Sequence, residues 1–325
     1  MIFTEKYRNK NMISWIINNK CNFRCDYCNS WESDESGEKN INDLDRIINS
    51  FERLGKDWII HISGGEPFLK KDILSICENI TTNHFISLNT NLSTSNIFEF
   101  ADTIDPEKVL FLSCSVHIEE REKRDPELKK FIEKINHLQE RGFNVIATYV
   151  AHPTVLHRIG DDVKKMENGG VKKVRIKTFR GYYGKIKYPL SFKKKDIDLI
   201  TSHDMEYPEQ EILNNEFSFF RNRCKAGSSF FIMDEFGNLR RCSALNRPYG
   251  NLFKGKWDKD DIYRPCPVKF CGCPYEGIRI ATDQKVSYFK TINEIIFEGY
   301  QKLVQYSKDP EIVQKIKNRV LSRTE

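Results

Sequence analysis

The 325-residue sequence has no apolar run approaching the roughly 18 residues that a membrane-spanning helix needs. Its longest apolar stretches, such as Ile13–Ile17 and Trp58–Ile62, are strand-sized. The opening MIFTEKYRNKN has no apolar core ahead of a small-residue cleavage site, which argues against a secretory signal. Charge of one sign is not in excess: 52 Lys and Arg against 46 Asp and Glu leave +6. So weak a balance does not by itself indicate a nucleic-acid partner. Internal repeats and low-complexity tracts are absent. What remains is a globular composition, 39% hydrophobic and 30% charged, with material for a sizeable core.

Cysteine, by contrast, is plentiful. Ten cysteines without an export signal suggest the reducing cytoplasm, where thiols serve as metal ligands, catalytic groups or core residues rather than disulfides. Three fall within Cys21–Cys28 and five within Cys224–Cys273. Cys77, on the apolar face of a helical stretch, and Cys114, facing opposite to Ser113 and Ser115 along a strand, read as core.

Up to about residue 190 the pattern alternates strand and helix. Strands are expected at 13–19, 58–63, 85–90, 109–115, 144–150 and 171–179. Helical spacing runs over 41–54, with Gly55 as a C-cap, over Ile73–Ile80, and over Leu128–Leu138, closing at Gly142. Such alternation implies a parallel sheet with helical crossovers. After Ser191 the rhythm changes. Residues 228–242 read as a hairpin turning at Gly237, and a Cys- and Pro-rich segment runs to Cys273 before a helical tail.

Cys21-x3-Cys25-x2-Cys28 directly follows the first strand. Three thiolates on one loop can hold three irons of a cubane and leave the fourth open, since clusters normally take four Cys ligands. A zinc site and three core cysteines are the competing readings. The segment Cys21-Asn22-Phe23-Arg24-Cys25-Asp26-Tyr27-Cys28, with its aromatic residue before the last Cys, resembles the cluster motif of the radical S-adenosylmethionine (radical SAM) superfamily. Gly64-Gly65-Glu66-Pro67, closing the second strand, resembles that superfamily's GGEP motif.

The resemblance implies a 4Fe-4S cluster on Cys21, Cys25 and Cys28, with SAM chelating the open iron. It places Gly64, Gly65 and Glu66 at the SAM amino group and Tyr27 near the adenine. Asn89 and Asn91 around the end of strand three, and Ser113 at the end of strand four, are further cofactor-binding candidates. The family often reads Thr-Asn-Gly where this chain has Thr90-Asn91-Leu92, and places an Asp where this chain has Ser115. A strand-end cap or turn is the competing role for each polar residue. The implied fold is an α/β partial (β/α)6 TIM-type barrel, with reactive groups at the C-terminal ends of the strands.

A second pattern, Cys224-x12-Gly237-x4-Cys242 followed by Cys266, Cys271 and Cys273, resembles the opening of the SPASM and twitch extensions of radical SAM enzymes. It implies one auxiliary 4Fe-4S cluster with five candidate ligands, a structural zinc being the alternative. The domain division expected is 1–215 barrel, 216–280 auxiliary-cluster extension and 281–325 helical tail.

His117 and His152 follow strands four and five. His117 is the expected catalytic histidine, while His152 reads as a hydrogen-bonded loop residue. Arg121, Arg124 and Arg180 are candidates for a carboxylate. The stretch 171–187 has seven Lys and Arg, no acid and three interleaved aromatics, which suits either an anion-binding rim or a solvated edge. Only about 12 residues precede the first strand, so no N-terminal peptide-recognition domain is expected. The expected function is a radical SAM oxidoreductase acting on a small anionic, sugar- or nucleotide-like substrate. An electron donor such as a flavodoxin or ferredoxin would serve it, and the auxiliary cluster would accept the substrate's electron. A redox-neutral epimerase or isomerase, a peptide-modifying maturase and a non-catalytic metal-binding nucleic-acid module are the alternatives.

Overall fold

The computed structural model describes residues 7, 10–28, 43–124, 126–205, 209–214, 219–261 and 263–268. Six strands alternate with helices: β1 (Met12–Ile16), β2 (Ile59–Ser63), β3 (Phe85–Thr90), β4 (Val109–Ser115), β5 (Val145–Ala151) and β6 (Val174–Thr178). They pair in sequence order, every neighbour parallel. The connecting helices are α1 (Leu44–Glu52), α2 (Ile73–Asn83), α3 (Ile97–Thr103), α4 (Ile118–Glu122), α5 (Glu127–Glu140) and α6 (Ile159–Asn168). Among the described residues no further strand joins the sheet beyond β6, whose outer edge carries only an isolated parallel bridge from Ile176 to Met205.

Local chemistry explains the elements. The Asp43 side chain caps α1 by accepting from the Arg46 amide at 3.0 Å, and Gly55 leaves that helix at φ +86°. Along each strand alternate residues face the helices. Ile13, Trp15, Ile60, Ile62 and Leu88 join Phe51, Ile76, Phe100, Phe131 and Leu138 in one continuous core. Each such side chain contributes about 1.5–3 kcal/mol of burial.

The opposite face of the strands lines the barrel. Its lower end is filled by Met12, Ile59, Phe85, Phe111 and Ile146, a second apolar cluster. Towards the C-terminal ends the same face turns polar and half-buried, with Ser63, Asn89, Ser113, Ser115 and Thr148. Apolar packing closes one end and leaves the other able to admit a ligand.

After β6 comes a short hairpin, β7 (Gly181–Tyr183) and β8 (Ile186–Tyr188), then α7 (Lys194–Thr201) and α8 (Glu209–Leu213). The extension carries β9 (Arg223–Cys224), β10 (Phe230–Met233), β11 (Asn238–Arg240), β12 (Pro248–Asn251), β13 (Lys256–Trp257) and β14 (Arg264–Pro265). The expected hairpin is β10–β11, with Gly237 at φ +83°. Its first arm also pairs parallel with β1, so the main sheet has ten strands, ordered β13-β12-β11-β10-β1-β2-β3-β4-β5-β6. Cys271, Cys273 and the expected tail over 281–325 lie outside the described residues.

Candidate active site

The loop leaving β1 runs beneath the turn leaving β2, and the two backbones touch. The Gly65 amide donates to Asn18 O at 2.9 Å, and the Glu66 amide to Lys20 O at 2.7 Å. A Cβ on Gly64, whose φ is +147°, would lie 2.3 Å from Asn18 O, and one on Gly65 2.1 Å from Lys20 O. Gly64 therefore requires glycine for torsion and contact alike, and Gly65 for contact alone.

The Glu66 side chain is 1% exposed. Its carboxylate accepts from the Phe68 amide (3.1 Å), Thr90 Oγ1 (2.7 Å) and the Asn91 amide (2.6 Å), knotting the ends of β2 and β3. Burial pushes its pKa up, and those three hydrogen bonds pull it back. With the carboxylate engaged in this way, the backbone of Gly64–Glu66 is what faces the cysteine loop. The next turn holds Leu92 at φ +52° with its side chain 1% exposed, so this chain adopts with leucine a left-handed conformation that favours glycine.

The cysteine loop is clamped from α4. Glu120 accepts from the Arg24 amide (3.1 Å) and also takes Lys123 and Arg124. Arg124 donates to Asn22 O at 2.9 Å and lies over the Phe23 ring. Asn91 Nδ2 donates to Asn22 Oδ1 at 3.1 Å and stands 3.8 Å from Cys21 Sγ. Arg121, expected from the sequence as a carboxylate ligand, is instead 1% exposed and donates to Val116 O, Ser115 O and Asn91 O. It staples the ends of β3 and β4. Glu120 gave no signal in the sequence, where it sits within an ordinary charged helical run.

Cys25 is buried, while Cys21 and Cys28 are half-buried. Burial, with Glu120 and Cys28 adding repulsion, raises the Cys25 pKa to about 12. A cationic partner is needed to hold these thiols as thiolates, and soft metal ions supply one. Among the described residues no three His, Cys, Asp or Glu side chains are gathered closely enough to chelate one ion. Three thiols on one loop, beside a close backbone approach at Gly64 and Gly65, would suit a cluster that takes one thiolate per iron and keeps one iron open.

His117 caps α4 at φ +45° and lies against the loop, its Nδ1 2.7 Å from Tyr27 Oη and 3.3 Å from Cys25 Sγ. Burial, and then Arg121, lowers its pKa to about 4, so the ring is neutral near neutral pH. A cavity of about 160 Å³ opens beside it, lined by Cys25, Tyr27 and His117 with the carboxylates of Asp26, Glu119 and Glu120 and the Lys123 ammonium. Ser113 Oγ pairs with Thr148 Oγ1 at 2.8 Å on the inner wall, and Asn89 lies beside Ser113 in register. His152 bonds Thr154 at 2.6 Å and packs on Tyr27 and Phe179. Within 171–187, Arg175 pairs with Asp204 and Arg180 with Glu209. Tyr182 and Ile186 project from the β7–β8 hairpin, 65% and 50% exposed.

At the second cysteine group, β9 pairs with β14 so that Arg264 faces Cys224, two residues from Cys266. Cys224 and Cys266 share one buried cluster, with Cys242 packed against it. Three of the five cysteines expected there thus border the same apolar cluster, but they are not gathered into a chelating group.

Residues 15–166 match the profile of the Radical SAM superfamily. The chain carries a radical SAM domain. Over 82 residues it is 39% identical to the GTP 3',8-cyclase of Pasteurella multocida (strain Pm70), a stretch covering 23% of this chain and 24% of that protein. It is 30% identical over 125 residues to the GTP 3',8-cyclase of Haemophilus influenzae (strain ATCC 51907 / DSM 11121 / KW20 / Rd), covering 37% and 35%. The matched stretches thus span little more than a third of these relatives at most. In fold the chain is similar to native anSMEcpe with bound AdoMet (TM-score 0.55, 16% identity, covering 75% of this chain and 78% of that one). It is also similar to Streptococcus suis SuiB bound to precursor peptide SuiA (TM-score 0.56, 17% identity, covering 83% and 70%). No helix among the described residues is long and apolar enough to cross a membrane.

Proposed function

We propose that this chain binds SAM at a 4Fe-4S cluster held by Cys21, Cys25 and Cys28 and uses it to abstract hydrogen from a small anionic, nucleotide-like substrate. The observation that carries this reading is the contact between the cysteine loop and Gly64–Gly65, where a Cβ would meet Asn18 O and Lys20 O at 2.3 and 2.1 Å. The cluster, when bound and reduced, supplies the electron that splits SAM into methionine and a 5'-deoxyadenosyl radical. This chain's residues do the rest. The Gly64–Glu66 backbone offers hydrogen-bonding groups to the SAM amino group, and Arg124 and Glu120 keep the loop in place. Asn89, Ser113 and Thr148 present hydrogen-bonding groups on the inner wall, above the apolar plug that excludes water from below.

The anionic substrate is supported by charge. The six barrel strands contain no Asp or Glu, and β6 brings Arg175 and Lys177 to the inner face. Lys177 is felt across the barrel by His61, whose pKa burial, and then that lysine, lowers to about 3. The naming of two partial relatives as GTP 3',8-cyclases supports a nucleotide.

The placing of Cys224, Cys242 and Cys266 along one apolar cluster, in the spacing of the twitch opening, supports an auxiliary 4Fe-4S cluster, which would take an electron from the substrate in a net oxidation. A redox-neutral ring closure or isomerisation is the second reading, favoured by the word cyclase in those relatives' names. The deciding experiment is anaerobic incubation of reconstituted protein with SAM and dithionite, with and without GTP. Release of 5'-deoxyadenosine is expected and should be lost in Cys25→Ala. Release that survives in Cys25→Ala refutes the cluster assignment.

A further inference from the structure

The β7–β8 hairpin is a two-stranded sheet of its own, grown from the C-terminal end of β6. A lone hairpin is marginally stable in water, so other groups must hold it. Its inner face is held by rings. Tyr183 lies 4.9 Å from His152, and Tyr188 packs on Phe179 and Phe192 at 5.6 and 4.7 Å between ring centroids. The outer face is uncovered. Tyr182 and Lys187 stand opposite one another across the two strands, with the Lys187 ammonium 5.8 Å from the centre of the Tyr182 ring. Tyr182 is 65% exposed, and around it Ile186 is 50% and Leu190 62% exposed. Large apolar groups left in water together on one short element mark a contact surface.

The surface also carries one sign of charge. From Asn168 to Lys195 there are ten Lys and Arg and no Asp or Glu. Arg175, Arg180 and Lys194 take acid partners, whereas Lys185, at the hairpin tip, and Lys187 have none among the described residues. Charge complementarity calls for an acidic partner. From the inner face a series of ring contacts leads to the cysteine loop. Tyr183 meets His152, His152 meets Tyr27 at 5.4 Å, and Tyr27 is bonded directly to Cys28. We propose that the hairpin, through Tyr182, Lys185 and Lys187, docks a small acidic electron-carrier protein that reduces the cluster on the cysteine loop. The inference rests on the reading of that loop as a cluster site. The step moves one electron from the carrier's reduced cofactor to the oxidised cluster, with no bond made or broken. Single-stranded nucleic acid, which is also acidic, needs successive free rings on which its bases stack. Here only Tyr182 stands clear, since Tyr183 and Tyr188 are engaged by other rings.

The test uses the full, anaerobically reconstituted chain, with a flavodoxin and a 2Fe-2S ferredoxin as acidic probes. Isothermal titration calorimetry measures their binding. Stopped-flow absorbance measures cluster reduction by each carrier and, separately, by dithionite, a small reductant that needs no docking surface. The double variant Lys185→Glu, Lys187→Glu reverses the charge, and Tyr182→Ser removes the exposed ring. At least one carrier is expected to bind the wild type, and less tightly as salt is raised. Both variants should weaken that Kd about tenfold and slow reduction by the carrier about as much. Iron content and reduction by dithionite should stay at wild-type values. Failure of both carriers to bind, or a Kd unchanged in both variants, overturns the inference. An equal slowing with dithionite overturns it too, by placing the hairpin in the SAM or substrate site. So does a deoxythymidine oligomer that binds this face more tightly than either carrier. Iron retained in Cys25→Ala overturns the cluster reading instead, and carrier binding measured on the apoprotein keeps the two failures apart.

Discussion

Gly65 offers a sharp test of how the site is built, because its surroundings are backbone rather than mobile side chain. In Gly65→Ala the new methyl would lie 2.1 Å from Lys20 O and 2.4 Å from Lys20 C. Ordinary contact needs about 3.5 Å, so the two strands must part by more than about 1 Å. That movement breaks the hydrogen bonds from the Gly65 amide to Asn18 O and from the Glu66 amide to Lys20 O. Each loss in a buried setting costs about 1–2 kcal/mol, giving about 2–4 kcal/mol together. At about 2 °C per kcal/mol for a chain of this size, the apoprotein should melt about 4–8 °C lower. Lys20 is bonded directly to Cys21, so the parting also displaces a thiol, and iron loading and 5'-deoxyadenosine release should fall with it. Differential scanning calorimetry of the reduced apoprotein and an iron assay after reconstitution measure the two effects separately. A Gly65→Ala protein that melts with the wild type and binds the same iron would refute the claim that this contact builds the site.

Arg121→Ala should destabilise the fold by about 3–5 kcal/mol, because three carbonyls at the ends of β3 and β4 lose a buried cation. A urea midpoint equal to the wild type's would contradict that. The double variant Cys224→Ala, Cys242→Ala should lose about four of about eight irons and retain SAM cleavage, because SAM is held at the other cluster. Zinc at this site in the wild type would remove the electron-acceptor argument. Asp260 is partly buried, which alone would raise its pKa, but hydrogen bonds from Arg264 and Tyr249 carry it below the usual carboxylate value. Its contribution to stability is therefore complete above about pH 4 and disappears as pH falls through the lower folded value. Asp260→Asn should flatten the acid limb of the stability profile below about pH 4, and an unchanged limb would show that other groups govern it.

Much of this architecture was legible in the residues. β3 and β4 occupy the stretches their apolar runs mark, and Gly237 sits at the hairpin turn where spacing puts it. Local periodicity carries that information because it depends on near neighbours. Helix α3 escaped notice because Ile97 and Phe100 give it too short an apolar stripe, and α6 because charged residues outnumber its apolar positions. The pairing of β10 with β1 was out of reach for a different reason: a hairpin pattern identifies its two arms but not a third strand. Arg121 was misjudged because a charged residue near a strand end looks alike whether it faces a ligand or caps carbonyls. Only the fold shows Val116, Ser115 and Asn91 converging on it.

The β1–β10 pairing also sets an order of events during synthesis. Met12 lies beside Phe230 and Trp15 beside Met233, partners more than two hundred residues apart. Until the ribosome has released that distant segment, one side of β1 presents unpaired amides and carbonyls, an edge prone to pair with the wrong chain. So long a loop makes this contact slow to form. The three thiols at the end of β1 hang from a strand whose second edge is paired last. A nascent chain stalled before Phe230 would offer the same cysteines on a strand held only by β2.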